Sequence, residues 1–271
     1  MRRILTLISV VCGFLLISST AWAQASGSFS YNDQGASEHC ILNSNGSITG
    51  GYTCSESSTC SESGSCTSNS DCASGTCDLN TDMCVTCTSS GPSGTCGGTF
   101  VAGIKGNGGS GNTFVVEPSA VIGLLTDVSL QKSSTLDVGT SSALAGVDFT
   151  VTATDGNGTT VAPAPNFAVT YDSRFVQISS NLFDVLSSQC TTITGGCYFN
   201  FNESTVSAHS FQWLLPEDGN SGIYTITTTW ASSLGNTGIS NSLTCVGPVN
   251  VTIQQNKVYH FNQVNLNQTT N

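Results

Sequence analysis

The chain has 271 residues, of which 38% are hydrophobic and only 8% are Asp, Glu, Lys or Arg, with 6 basic side chains against 17 acidic ones. Globular proteins average about 25% charged residues, so ion pairs cannot lace this surface, and the acidic balance excludes a basic nucleic-acid binder. The low content of Ala, Glu, Lys, Leu and Arg excludes a long helical or coiled-coil architecture.

Met1-Arg2-Arg3, the apolar run Ile4 to Ile17 and the small-x-small ending Ala21-Trp22-Ala23 have the three parts of a secretory signal peptide. Residues 1–23 are expected to be cleaved before Gln24. The apolar run, about 14 residues, is short for a bilayer-spanning helix. Cys12 lacks the preceding small residue of a lipoprotein signal. No later run is long enough to span a membrane, and the polar C-terminus has no hydrophobic anchor tail. Removing the leader leaves Lys105, Lys132, Arg174 and Lys257 against the 17 acidic residues. The expected destination is secreted, extracellular or cell surface, with the periplasm as the other possibility.

Residues 24–53 are polar, rich in Gly, Ser and Asn, and expected to be loosely ordered. Residues 54–97 form a cysteine-rich module whose large apolar side chains are Leu79, Met83 and Val85. So little apolar surface cannot build a core, so disulfides must staple the segment. Without Cys12 the chain carries twelve cysteines, an even number that suits full pairing in an oxidising compartment. Nine are Cys40, Cys54, Cys60, Cys66, Cys72, Cys77, Cys84, Cys87 and Cys96, and three are Cys190, Cys197 and Cys245. Both groups are odd, so full pairing needs at least one bridge between them. Cys190–Cys197 across the turn Thr191 to Gly196 is the expected local bridge, leaving Cys245 to reach back to Cys40 or Cys96. Cys84-Val-Thr-Cys87 has redox or zinc spacing, but no helical context or second ligand pair accompanies it, so structural bridging is expected.

Short β-branched and aromatic runs separated by Gly, Asn, Asp and Ser turns follow from residue 98 to the C-terminus. Strands are predicted at 97–104, 113–117, 120–130, 146–154, 166–171, 174–179, 197–202, 211–215, 223–231, 249–253 and 258–266. Val147, Phe149, Val151 and Ala153 alternate with polar residues, as do Tyr224, Ile226, Thr228 and Trp230 with theirs, which gives each strand one buried face. Helical periodicity is missing throughout, with at most a turn or two at Phe183 to Leu186. The predicted fold is mainly β: a disulfide-rich N-terminal module plus an antiparallel β-sandwich at 98–271.

Two stretches resemble known families. Cys66-Thr-Ser-Asn-Ser-Asp-Cys72-Ala-Ser-Gly-Thr-Cys77 resembles the small extracellular cysteine-rich repeats of dickkopf and EB-type modules, which implies a disulfide knot used as spacer or binding surface. Ala145-Gly-Val-Asp-Phe-Thr-Val-Thr-Ala-Thr-Asp155-Gly-Asn-Gly158 resembles strand B and its turn in bacterial immunoglobulin-like surface domains, and Ser221-Gly-Ile-Tyr224-Thr-Ile-Thr is similar to strand F. That second resemblance implies an immunoglobulin-like sandwich, although no cysteine stands on the B-like strand and Ile226 occupies the place of the second one.

Catalytic signatures are missing. Gly106-Asn-Gly-Gly-Ser-Gly111 spells G-x-G-x-x-G but leads into a strand, so it reads as a hairpin or linker and not a dinucleotide loop. His39, His209 and His260 are isolated in sequence. Asp78-Leu-Asn-Thr-Asp82 opens like a calcium loop but has Met83 and Ser89 where Gly and Glu belong, and Asp155 to Gly158 and Glu217 to Asn220 are further oxygen-rich turns. No catalytic, cofactor or metal residue is assigned and no cofactor is expected. The leading expectation is an exported, non-enzymatic protein for adhesion, binding or structural assembly, with a protein or glycan partner or its own copies. A secreted hydrolase with a site assembled from distant residues and a calcium-stabilised structural protein are the alternatives.

Overall fold

The structure is a computed structural model that describes residues 28–33, 39–72, 76–78, 82–108, 112–132, 137–138, 140–178, 197–217, 219 and 221–257. The leader, the turn or two at 183–186, the strand at 258–266 and the Cys190–Cys197 bridge lie outside the described residues. What is described is antiparallel β, with a single 3-10 turn at Asn69–Asp71 and no α-helix.

The strands in chain order are β1 (Phe29–Asn32), β2 (Ile41–Leu42), β3 (Ile48–Thr49), β4 (Tyr52–Ser65), β5 (Thr76–Asp78), β6 (Met83–Gly94), β7 (Gly97–Lys105), β8 (Asn112–Lys132), β9 (Asp137–Val138), β10 (Ser141–Thr154), β11 (Thr160–Val161), β12 (Val169–Ile178), β13 (Cys197–Ser210), β14 (Trp213–Pro216), β15 (Ile223–Thr237) and β16 (Ile239–Lys257). The larger sheet runs β13-β8-β16-β4-β6-β5, with β1 on β16 and β14 and β9 on β8. The smaller runs β11-β10-β15-β7, with β12 also on β10.

Alternation explains how the layers meet. On β8 the even-numbered Phe114, Val116, Ala120, Ile122, Leu124, Val128 and Leu130 are buried. On β10 the odd-numbered Ala145, Val147, Phe149, Val151 and Ala153 are buried in the same cluster as Phe114 to Leu124. One apolar core therefore receives side chains from both sheets, closed by Trp213, Tyr224 and Trp230. Two predicted strands, 113–117 and 120–130, are one continuous strand. Pro118 separates them in sequence but sits where β13 gives way to β14 along β8, pairing on the other side with Val251. A proline is tolerated at such a break because its missing N–H disrupts no continuous ladder.

The immunoglobulin assignment of individual strands needs correction. Immunoglobulin domains place strands B and F in opposite sheets. Here their counterparts β10 and β15 are hydrogen-bonded neighbours, from Ser142↔Thr237 to Thr154↔Thr225. Sequence alternation shows which face of a strand is dry but does not name the strand beside it.

The polar N-terminal segment supplies packed structure. β2 and β3 form a hairpin over the outer face of the large sheet, where Ile48 is buried with Leu125, Cys40 and Cys245. Burying a side chain of that size stabilises by about 1.5–3 kcal/mol. Gly51 allows the fit: its φ is +56°, and a Cβ there would fall 2.6 Å from Cys245 Sγ. The Cys40 N–H donates to Gly247 O at 2.9 Å, and a disulfide joins Cys40 to Cys245.

Candidate functional site

Two places concentrate chemistry. The first is an arm built from β4 and β6. β16 pairs with β4 only from Tyr52 to Ser58, and beyond that point β4 is paired only with β6. Thr59 to Ser65 therefore run on past β16 as a ribbon with β6, about 20 Å long, which β5 joins at its far end. The ribbon has almost no apolar contact to hold it and is cross-linked instead: Cys54–Cys96 at its base, Cys60–Cys87 across its middle, and Cys66–Cys77 with Cys72–Cys84 at its tip. Lower down, opposed serines clasp the strands, with Ser57 Oγ 2.8 Å from Ser90 Oγ.

The tip is a small knot. The Sγ atoms of Cys66, Cys72 and Cys84 lie within 4.8 Å of one another. Each belongs to a disulfide, so none is a thiolate able to hold a metal. Cys84 and Cys87 bridge to different partners, Cys72 and Cys60, so the C-x-x-C spacing marks two rungs of a ribbon and not a redox pair. Asp71 organises the knot's loop: its Oδ2 accepts from the Thr67 N–H at 2.8 Å, the Thr67 hydroxyl at 2.9 Å and the Ser68 N–H at 3.0 Å. These bonds, the Thr67 backbone bond foremost, favour the ionised carboxylate and hold its pKa below the 3.8 of a free aspartate. A lowered folded-state pKa means the loop gains support above pH 3.8 and loses it as pH falls through the lower value. An NMR titration of the Asp71 carboxyl is expected to show a midpoint below 3.8, and loss of the Thr67 amide shift on the same curve. A midpoint at or above 3.8 would contradict the loop geometry.

The second place is a polar seam on the side where β12 and β13 face each other. Register puts Asp172 and Arg174 of β12 on the same side as Val147 and Ala145 of β10, toward the core. Glu203, Thr205, Ser207 and His209 of β13 share a face with Thr126, Leu124, Ile122 and Ala120 of β8. The side chains meet: Arg174 Nη2 donates to Thr205 Oγ1 at 2.8 Å, and Arg174 Nε lies 3.6 Å from Glu203 Oε1. Ser207 Oγ is 2.6 Å from His209 Nε2, and Asp172 Oδ2 is 3.6 Å from the same nitrogen. Beneath them Tyr171 stacks on Phe149 at 4.1 Å and donates its hydroxyl to Pro118 O at 2.6 Å. Burial pushes the Tyr171 phenol well above its ordinary pKa, and the Glu117 carboxylate adds to this against an opposing Phe211 backbone bond.

Ser, His and Asp thus come together, as a hydrolase would require, but in the wrong arrangement. A catalytic histidine holds serine on one ring nitrogen and aspartate on the other, so that one nitrogen takes a proton while the other is anchored. Here both partners crowd Nε2, and turning the ring over cannot separate them. The arrangement is a cross-layer clasp. His209 was visible in the sequence only as an isolated histidine. Asp172 and Arg174 carried no signal, because their partners lie some thirty residues further on, on another strand.

The other flagged segments are structural. Asp155 closes the β10–β11 hairpin, its Oδ1 accepting the N–H groups of Asn157 at 2.9 Å and Thr159 at 2.7 Å. Glu217 is buried and pins the glycine loop after β7, accepting from the Gly108 N–H and from Gln255 Nε2, each at 2.7 Å. The Gly106 loop therefore spends its backbone on a carboxylate of its own chain. The segment Asp78 to Asp82 lies largely outside the described residues. No helix among the described residues is long and apolar enough to cross a membrane.

No protein-family model matches the chain, and no curated protein matches it. Among solved structures, dimeric latent PorU from Porphyromonas gingivalis is 13% identical over 78% of this chain and 13% of its own, at a TM-score of 0.17. A CocE/NonD family hydrolase from Staphylococcus aureus is 11% identical over 59% of this chain and 33% of its own, at 0.16. The VP2 subviral particle of infectious bursal disease virus is 11% identical over 86% of this chain and 73% of its own, at 0.15. This chain thus spans only a small part of the first two proteins, and superpositions this loose carry no argument about its role.

Proposed function

We propose that the chain is an exported, non-enzymatic surface or extracellular protein, a binding or structural module that presents the cysteine knot at the end of its braced arm. The observation that carries this reading is the ribbon beyond Ser58, held by three disulfides, with cysteines alone forming the buried cluster at its tip. Bridges of this kind form and persist in oxidising surroundings. They keep a solvent-exposed surface rigid, which lowers the ordering cost of binding a partner. The likeness of residues 66–77 to small extracellular cysteine-rich repeats supports the same use of the tip. The crowding of Ser207 and Asp172 on one histidine nitrogen weighs against the hydrolase alternative.

The test expresses the full chain with its leader, then coats beads with the oxidised product. The beads are expected to bind members of a glycan array or a surface bearing the same chain. Binding is expected to vanish when Thr59 to Thr88 are replaced by a two-residue hairpin turn, while the melting transition of the sheets persists. Binding that survives the replacement would refute the arm as the presented surface. Turnover of ester or peptide substrates that is abolished by His209→Ala would refute the non-enzymatic reading.

A further inference from the structure

The five disulfides among the described residues differ in their surroundings. Cys40–Cys245, Cys54–Cys96, Cys66–Cys77 and Cys72–Cys84 each contain a buried residue, and in the first and third both residues are buried. Cys60–Cys87 contains none: Cys60 is half-buried and Cys87 is exposed. Reduction needs a thiolate to reach one sulfur and the other sulfur to leave as a thiolate. A buried sulfur is hard to reach and, in apolar surroundings, hard to ionise. Cys60–Cys87 is shielded in neither way, and exposed bridges are the ones that exchange most readily.

Its place in the ribbon also matters. The two cysteines stand directly opposite each other in the β4–β6 ladder, flanked by the pairs Thr59↔Thr88 and Ser61↔Thr86. On one side Cys54–Cys96 and the Ser57–Ser90 hydroxyl clasp hold the strands, and on the other the two bridges of the tip do. Opening the middle bridge therefore leaves two thiols facing each other. No other described disulfide lies close enough to scramble with them. Cys54 and Cys66 are each six residues from Cys60, about 20 Å along an extended chain. Cys84, with Cys77 opposite it, is three residues from Cys87, and an odd step along a strand places it on the other face.

We propose that Cys60–Cys87 is the thiol-labile bridge among these five, opened by an external thiol or dithiol and closed again without a change of pairing. The reductant's thiolate attacks Cys87 Sγ, and the Cys60 sulfur leaves with the electron pair and takes up a proton. A second thiol then releases Cys87 from the mixed disulfide. One chain disulfide and two external thiols become two chain thiols and one external disulfide. What changes is the stiffness of the ribbon between its base and its tip. The use of that change rests on the arm being the presented surface, as proposed above, whereas the lability does not.

The test holds the exported, oxidised chain in glutathione buffers of graded reducing strength, blocks free thiols with N-ethylmaleimide and maps them by mass after pepsin digestion. Cys60 and Cys87 are expected to take up label together, with a reduction equilibrium constant about tenfold above that of any other of the five bridges, which corresponds to about 30 mV. Return to oxidising buffer is expected to restore the same pair. A chain carrying Cys60→Ser and Cys87→Ser is expected to take up no label at the other eight bridged cysteines in the buffer that opens the native bridge. First label at another of the five bridges, label at all five together, no label before the sheets unfold, or a new pairing on reoxidation overturns the proposal. None of these readouts involves binding, so they are decided separately from the bead assay.

Discussion

Replacing Cys40 and Cys245 together by alanine is expected to lower the global unfolding free energy by about 3–5 kcal/mol. The bridge closes the longest loop in the described protein, with a sequence separation of 205. Constraining an unfolded chain removes more entropy the longer the loop, although the Cys54–Cys96 bridge inside it shortens the effective path. Both sulfurs are also buried against Ile48 and Leu125, so the β2–β3 hairpin loses its anchor as well. The contrast is the Cys60–Cys87 pair, with a separation of 27, which braces the ribbon outside the core. Its removal is expected to loosen the ribbon while leaving the sheet transition in place. Urea unfolding followed by tryptophan fluorescence separates the two, because Trp213 and Trp230 report on the core. Equal shifts from the two double variants would contradict this division.

Trp230→Ala is expected to cost about 3–5 kcal/mol, the range for removing a large buried aromatic side chain. Trp230 is 1% exposed and lies at the middle of β15, between Phe149 on β10 and Gly98 on β7. Its ring also meets Tyr52 of the other sheet, with centroids 6.0 Å apart, so it ties the two layers together. Gly98 is part of the fit. A Cβ there would fall 2.3 Å from Trp230 Nε1, so Gly98→Ala overpacks the site and is expected to cost about 1–3 kcal/mol. In the double variant the added methyl enters space the indole has left, so the two losses are expected to sum to more than the measured total. Strict additivity in a double-mutant cycle would mean that residue 98 and the indole do not touch.

The parts of the fold that were legible in sequence share one property: an apolar alternation strong enough to name a buried face. Val147 to Ala153 and Tyr224 to Trp230 were placed on strands correctly for that reason. β4 and the second half of β6 were not legible, since Ser, Thr and Gly dominate them and their pairing rests on backbone hydrogen bonds and disulfides. The first half of β16 was missed likewise, because Ser240, Ser242 and Thr244 are buried yet polar. A period-two pattern of serines looks like a loop until the opposite layer is known to carry Asn236 and Ser232, which hydrogen-bond to Ser242 and Thr244.

Cysteine count and the pattern of short alternating runs between turns pointed by themselves to antiparallel β with a disulfide-rich front. Few charges and many β-branched residues leave helices little support, and a segment whose large apolar residues are only Leu79, Met83 and Val85 needs disulfides to hold its shape. Only the tertiary structure decided that β10 and β15 are neighbours in one sheet, that β4 joins the large sheet through β16, and that Asp172, Ser207 and His209 converge without forming a relay. Those are facts about pairs of residues far apart in the chain. Alternation records the environment of one residue at a time, whereas strand order and side-chain convergence are set by the packing of whole layers, where many weak long-range contacts choose among partners that each strand would accept alone.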